Sequence, residues 1–85
     1  MQVIVDVYTR PSCMPCRMTK RHLDRLGVPY TEHDVSADEA AAQRVQDLGY
    51  AGVPVVTVTL PDGVDHWHGY RDEQLDALGY LAKGA

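Results

Sequence analysis

Cys13 and Cys16 are the only two cysteines of the chain, and two residues separate them. A pair at that spacing can bridge, hold part of a metal centre, or exchange electrons with another disulfide. Its context favours the last. An apolar run, Val3-Ile4-Val5-Asp6-Val7-Tyr8, comes before the pair, and a helix-like pattern through Leu23 and Leu26 comes after it. The pair therefore sits at a strand-to-helix junction. The first turn of a helix has N–H groups with no intrahelical partner, at the positive end of the dipole. A thiolate there is favoured over its thiol, and its pKa falls from about 8.5 to roughly 3.5–7.5. Cys13 is expected to hold that place and act as the nucleophile. Cys16, one turn in, faces back toward it and resolves the mixed disulfide. Pro15 suits the early helix, where its missing N–H costs nothing. Met14 is expected to be exposed beside the thiols, in soft contact with a partner. Arg10 flanks the turn and can meet a partner carboxylate. Arg17, Lys20 and Arg21 add positive charge nearby.

The elements that position the pair follow from periodicity. The near-continuous apolar character of residues 3–8 predicts a central strand covered on both faces, stopped by Pro11. A helix is expected from about Cys13 to Leu26, with Cys16, Thr19, Leu23 and Leu26 inward and Gly27 just past its end. His22 is read as a solvent-facing helix residue. A second strand over residues 28–35 takes an edge position because of Pro29. Ser36 and Glu39 form a capping box for a helix from about Ala37 to Leu48, with Ala41, Val45 and Leu48 buried. Residues 52–60, rich in Val and Thr, form a third strand. Pro61-Asp62-Gly63 turns it into an antiparallel fourth, Val64 to His68. Gly69 breaks that strand. A last helix begins near Asp72-Glu73, with Leu75, Leu78 and Leu81 inward. The result is an α/β chain, a small mixed sheet with helices on both faces.

Composition narrows the function classes. Eighty-five residues make one domain, 1–85, that buries about 60–65% of its extended surface. Apolar residues are 45% and charged ones 24%, the profile of an ordered globular protein. The net charge is −4, with basic residues gathered between Arg10 and Arg25 and much of the acid from Asp34 onward. No nucleic-acid footprint appears, and an acidic partner surface beside Cys13 fits better. No apolar run is long enough to span a membrane. Met1-Gln2-Val3-Ile4-Val5 lacks a basic region leading a long apolar segment, so a non-secreted, cytoplasmic protein is expected. In that setting a lone C-x-x-C reads as catalytic or metal-binding.

Three stretches carry a family resemblance. Cys13-Met14-Pro15-Cys16 resembles C-[MV]-x-C. Leu48-Gly49-Tyr50-Ala51-Gly52-Val53-Pro54-Val55-Val56 resembles the LGY…APVV stretch, and Trp67-His68-Gly69-Tyr70-Arg71 resembles W-S-G-F-R. Together they are similar to NrdH-type redoxins, the glutaredoxin-like members of the thioredoxin superfamily. Pro15 departs from the family's polar residue, and Asp72 stands where Pro is usual. The resemblance implies a thioredoxin-like βαβαββα fold, a four-stranded mixed sheet flanked by three helices. It implies a dithiol electron donor that binds no cofactor. Thioredoxin reductase would reduce it with electrons from NADPH, and its client would be a class Ib ribonucleotide reductase or another disulfide-containing protein. It further implies that Pro54 is cis and faces the disulfide, with the Val53 backbone pairing with the substrate chain. Without the resemblance, Pro54 reads as a trans proline at a strand start, since only about 5–6% of X–Pro bonds are cis. Tyr70, Arg71 and Asp72, after Gly69, lie where related folds hold a glutathione carboxylate. A monomer is expected of a carrier that docks with two partners in turn.

Two alternatives stay open. One is a glutathione-dependent glutaredoxin, although the Tyr common between the cysteines of that group is missing. The other is a structural or interaction module holding zinc; iron–sulfur assembly through a Cys13 shared in a dimer is a minor third option. Zinc usually takes four ligands, and the chain adds only His22, His33, His66 and His68 to its cysteines. His66 and His68 share a strand face, Trp67 takes the other, and that strand is expected one beyond Pro54. No metal site is therefore assigned.

Overall fold

The computed structural model of the protein describes residues 3–84; the expectation resting on Met1 and Gln2 lies outside them. Its elements in chain order are β1 (Ile4–Thr9), α1 (Met14–Leu26), β2 (Thr31–Asp34), α2 (Glu39–Asp47), β3 (Val55–Leu60), β4 (Gly63–His68) and α3 (Asp72–Gly84). The strands form one sheet in the order β2-β1-β3-β4. β1 pairs parallel with β2, Thr9 opposite Asp34, and antiparallel with β3, Tyr8 opposite Val55. β3 pairs antiparallel with β4, Val55 opposite His68. A parallel neighbour requires a crossover, and α1 supplies it. This is the thioredoxin-like βαβαββα arrangement. No helix among the described residues is long and apolar enough to cross a membrane.

The alternation of β1 divides the core. Val5 and Val7 join Val56, Val58 and Trp67 on one face, under Leu23 of α1 and Leu75 and Leu78 of α3. Tyr8 and Val55 point to the other face and meet Ala41 and Val45 of α2. With no Phe in the chain, valines and leucines fill this space, each fully buried one stabilising by about 1.5–3 kcal/mol. Gly79 lets α3 approach α1, because a Cβ there would meet Leu26 Cδ1 at 3.0 Å. Gly27 ends α1 in the left-handed region, φ 70°, and its N–H donates to the Asp24 carbonyl.

Several boundaries differ from those read off the sequence. β2 begins at Thr31 rather than Val28, and β3 at Val55 rather than Gly52. Leu26, Leu48 and Leu81 are only half-buried. The Ser36–Glu39 capping box does not form. Asp34 Oδ1 accepts from both the Ser36 N–H and hydroxyl, closing a turn over residues 35–37. Asp38 caps α2 instead, accepting from the N–H groups of Ala40 and Ala41 at 3.0 and 3.2 Å. Ser36 had a nearer partner than the helix, and the helix had a better cap than Ser36.

These two roles make unequal stability predictions. Asp38→Ala is expected to cost about 1 kcal/mol, read from the urea midpoint. Ser36→Ala, which loses one exposed hydrogen bond, should cost less than half of that. A larger loss for Ser36→Ala would return the cap to Ser36.

Candidate active site

The site begins where β1 stops. Thr9 is buried, and its carbonyl accepts the Val35 N–H at 2.9 Å. The chain then reverses over Arg10-Pro11-Ser12. Ser12 is the one non-glycine among the described residues with a positive φ, 59°, a left-handed conformation that serine adopts at some cost. This turn delivers Cys13 in extended geometry, φ −111° and ψ 104°, as the N-cap of α1. Its Sγ accepts the Cys16 N–H at 3.3 Å. A sulfur thus stands where an Asp or Ser oxygen usually caps a helix.

Cys13 and Cys16 are joined in a disulfide, with Cα atoms 5.2 Å apart. Their exposures differ: Cys16 is 1% exposed, packed in the inward stripe, while Cys13 is half-exposed. Pro15 falls in the first turn, and its carbonyl accepts the Thr19 hydroxyl at 2.9 Å. Met14 is 61% exposed beside them.

A polar cluster lines the same end of α1. Glu32 Oε2 accepts from Lys20 Nζ and from the Thr9 hydroxyl, each at 2.8 Å. The Lys20 bond first, and the Thr9 bond after it, hold the Glu32 carboxyl below its ordinary value of 4.5, against an opposing push from burial. Thr9, Arg10, Cys13, Cys16, Lys20 and Glu32 share a shallow groove of about 300 Å³. Lys20 is therefore turned to Glu32. Thr9 and Glu32 drew no attention in the sequence, because only the parallel pairing of β1 with β2 brings them together.

Pro54 lies at the same end of the sheet. Val55 stands opposite Tyr8 on one side and His68 on the other, so Pro54 comes level with Thr9 and Gly69. The Val53–Pro54 bond is cis, Pro54 is buried, and its carbonyl accepts the Gly69 N–H at 2.8 Å. Gly69 holds φ 89°, where a side chain would be strained. Among the described residues no hydrogen bond engages the Val53 main chain. Arg71 is exposed and its Nε donates to the His68 carbonyl at 3.3 Å. Asp72 opens α3 and accepts the Glu73 N–H, so it does not pair with Arg71.

Tyr70 turns along α1 rather than toward the disulfide. Its hydroxyl meets His22 Nδ1 at 2.8 Å, and His22 Nε2 meets Asp76 Oδ1 at 2.7 Å. The reading of His22 as solvent-facing is thereby corrected: it is 7% exposed. Its partners lie 48 and 54 residues away in sequence, and no local pattern announces them. Since the carboxylate accepts, Nε2 carries a proton. Trp67 is buried in the core, and His66 and His68 lie on the opposite face beside Tyr50. Among the described residues no three His, Cys, Asp or Glu side chains are grouped to hold a metal ion.

Comparison with known proteins gives consistent matches. The glutaredoxin family model matches residues 5–59. The Gene 56 protein of Mycobacterium phage L5 is 37% identical over 75 residues, covering 87% of this chain and 70% of that protein. The glutaredoxin-like protein NrdH of Escherichia coli K12 is 28% identical over 74 residues, covering 87% and 86%. Its solved structure, the NrdH-redoxin of thioredoxin-like activity profile, superposes with a TM-score of 0.76 over 87% of this chain and 92% of that one. The solved thioredoxin-like protein BC3987 is 36% identical, with a TM-score of 0.74 over 87% and 97%.

Glu32 yields a pH prediction. A carboxyl depressed on folding stabilises above its unfolded value and loses that contribution as pH falls through the folded one. The Glu32 contribution is thus complete at neutral pH and fades below about pH 4.5. The side chain is 43% exposed, so solvent screening keeps it under about 1 kcal/mol. Glu32→Gln should flatten the fall of the urea midpoint between about pH 5 and pH 3. An unchanged acid limb would mean that the Lys20–Glu32–Thr9 cluster contributes nothing.

Proposed function

The chain belongs to the glutaredoxin family, and from that footing we propose that it carries electrons as an NrdH-type dithiol in which Cys13 attacks and Cys16 resolves. The observation that carries this reading is the unequal exposure of two sulfurs at one helix mouth. An incoming disulfide can reach Cys13, whereas Cys16 is 1% exposed and can reach only Cys13.

The steps follow from that geometry. In the reduced protein the Cys13 thiolate accepts the Cys16 N–H, a stronger bond than the same donor makes to a disulfide sulfur. The thiolate attacks one sulfur of the partner's disulfide; an S–S bond forms to Cys13 and the other partner sulfur leaves as a thiolate. Cys16, once deprotonated, then attacks Cys13 Sγ. The mixed disulfide breaks, the second partner thiolate leaves, and the Cys13–Cys16 disulfide closes. Two electrons have passed to the partner, and a reductase must return them.

Pro54 and the Val53 main chain supply the partner-binding edge in this reading, since the Val53 amide and carbonyl have no described partner of their own. Arg10, Met14 and Pro15 also border Cys13, and Arg10 shares a groove with Val53. Gly69 ties the Tyr70-Arg71-Asp72 segment to Pro54. The likeness to NrdH supports thioredoxin reductase as reductant, NADPH as electron source, a class Ib ribonucleotide reductase as client, and the cytoplasm as the place of work.

Two experiments test this. Cys13→Ser should abolish reduction of a protein disulfide such as insulin, while Cys16→Ser should accumulate mixed disulfides visible on non-reducing gels. Equal trapping by both variants would overturn the assigned roles. In a coupled assay, NADPH oxidation should depend on added thioredoxin reductase. Turnover driven by glutathione and glutathione reductase, with none from thioredoxin reductase, would replace this reading with a glutathione-dependent one.

A further inference from the structure

The solvent side of α1 carries a stripe that the dithiol chemistry does not use. Met14, Met18, Arg21 and Arg25 recur at i, i+4, i+7 and i+11, which aligns them along one helix face, with Arg17 at its edge. Met14 and Met18 are 61% and 43% exposed. The protein carries a net charge of −4, yet four of its eight basic side chains lie on this helix, with one acid, Asp24. Lys20 is held by Glu32. Among the described residues no carboxylate pairs with Arg17, Arg21 or Arg25. Asp24 lies instead against Tyr30, whose phenol burial and, after it, this carboxylate hold above its ordinary pKa.

The stripe ends in a groove. Met18, Arg21, Asp24, Arg25 and Tyr70 enclose about 500 Å³. Tyr70 is a fixed wall, because its hydroxyl is tied to His22 and through it to Asp76. Exposed methionine, unpaired arginine and an anchored tyrosine are the side chains that protein interfaces enrich. Free guanidinium groups over apolar surface are complementary to carboxylates carried with an apolar residue.

We propose that this stripe docks an acidic, partly apolar segment flanking the disulfide of the partner protein. The proposal rests on the dithiol reading and adds to it which partners are preferred. Spacing sharpens it. Arg21 and Arg25 stand eight and twelve residues along from Cys13, about 12 and 18 Å at 1.5 Å per helical residue. An extended partner segment advances about 3.3 Å per residue. Its acids therefore fall roughly four to six residues from the cysteine that Cys13 attacks.

The test uses the reduced protein and two synthetic peptides, each closed by one internal disulfide. One carries glutamates and a leucine at about four to six residues from its cysteines, on both sides. The other carries lysines and a leucine at the same places. The glutamate peptide should be reduced about tenfold faster at low salt, with the gap closing by about 0.5 M salt. The double substitution Arg21→Glu and Arg25→Glu, its fold checked by circular dichroism, should reverse the preference. Equal rates on the two peptides in wild type, or a preference unmoved by salt, would overturn the docking surface while leaving the dithiol reading intact. Reduction of neither peptide would overturn the dithiol reading itself.

Discussion

One unpaired amide at the mouth of α1 organises this molecule. The Cys16 N–H precedes the first intrahelical bond, which runs from the Arg17 N–H to the Cys13 carbonyl. It needs an acceptor from outside the helix, and Cys13 Sγ is that acceptor. Pro15, between them, brings no N–H of its own to compete. A sulfur shared in a disulfide is a weak acceptor, whereas a thiolate is a charged one. The same contact that caps the helix therefore strengthens on reduction. In the proposed dithiol mechanism, helix capping and thiolate stabilisation are one interaction, and the helix dipole acts on it in the same direction.

Holding a sulfur at that point places demands on the sheet. β1 must be central, paired on both sides, so that its end does not drift. It must then release the chain within four residues, and Ser12 accepts a left-handed backbone to do so. Pairing of Tyr8 with Val55 and of Val55 with His68 brings Pro54 and Gly69 to the same end. Three segments far apart in sequence thus converge beside one half-exposed sulfur, while α2 and α3 cover the two faces that keep the sheet in place.

Local physics explains what could be read from residues alone. The inward spacing of Cys16, Thr19 and Leu23, the stop at Gly27 and the Pro61-Asp62-Gly63 turn each depend on neighbours within a few positions, and each is found in the structure. The α2 cap is ambiguous in sequence because Ser36 and Asp38 are both capping residues two positions apart, and Asp34 at the end of β2 decides between them by engaging Ser36. Thr9 and Glu32 meet only through strand register, which hydrophobic alternation does not supply. The cis bond at Pro54 has no local signature, and only the family resemblance pointed to it.

His22 owes its burial to partners that lie far from it in sequence. The W-S-G-F-R pattern has a phenylalanine where this chain has Tyr70, so the position adds a hydroxyl to a half-buried ring. Left without a partner, a hydroxyl out of water costs roughly 1–3 kcal/mol. His22 provides the partner, and Asp76 in turn holds the His22 tautomer that can accept from Tyr70. Each residue of the three is unremarkable in its own stretch of sequence: a histidine on a charged helix, an aromatic after a glycine, an acid in the last helix. Together they link α1, which carries the disulfide, to the segment whose Gly69 N–H binds the Pro54 carbonyl. The two halves of the site are therefore joined by a polar clasp beside the groove of Met18, Arg21 and Arg25, as well as by the apolar core beneath it.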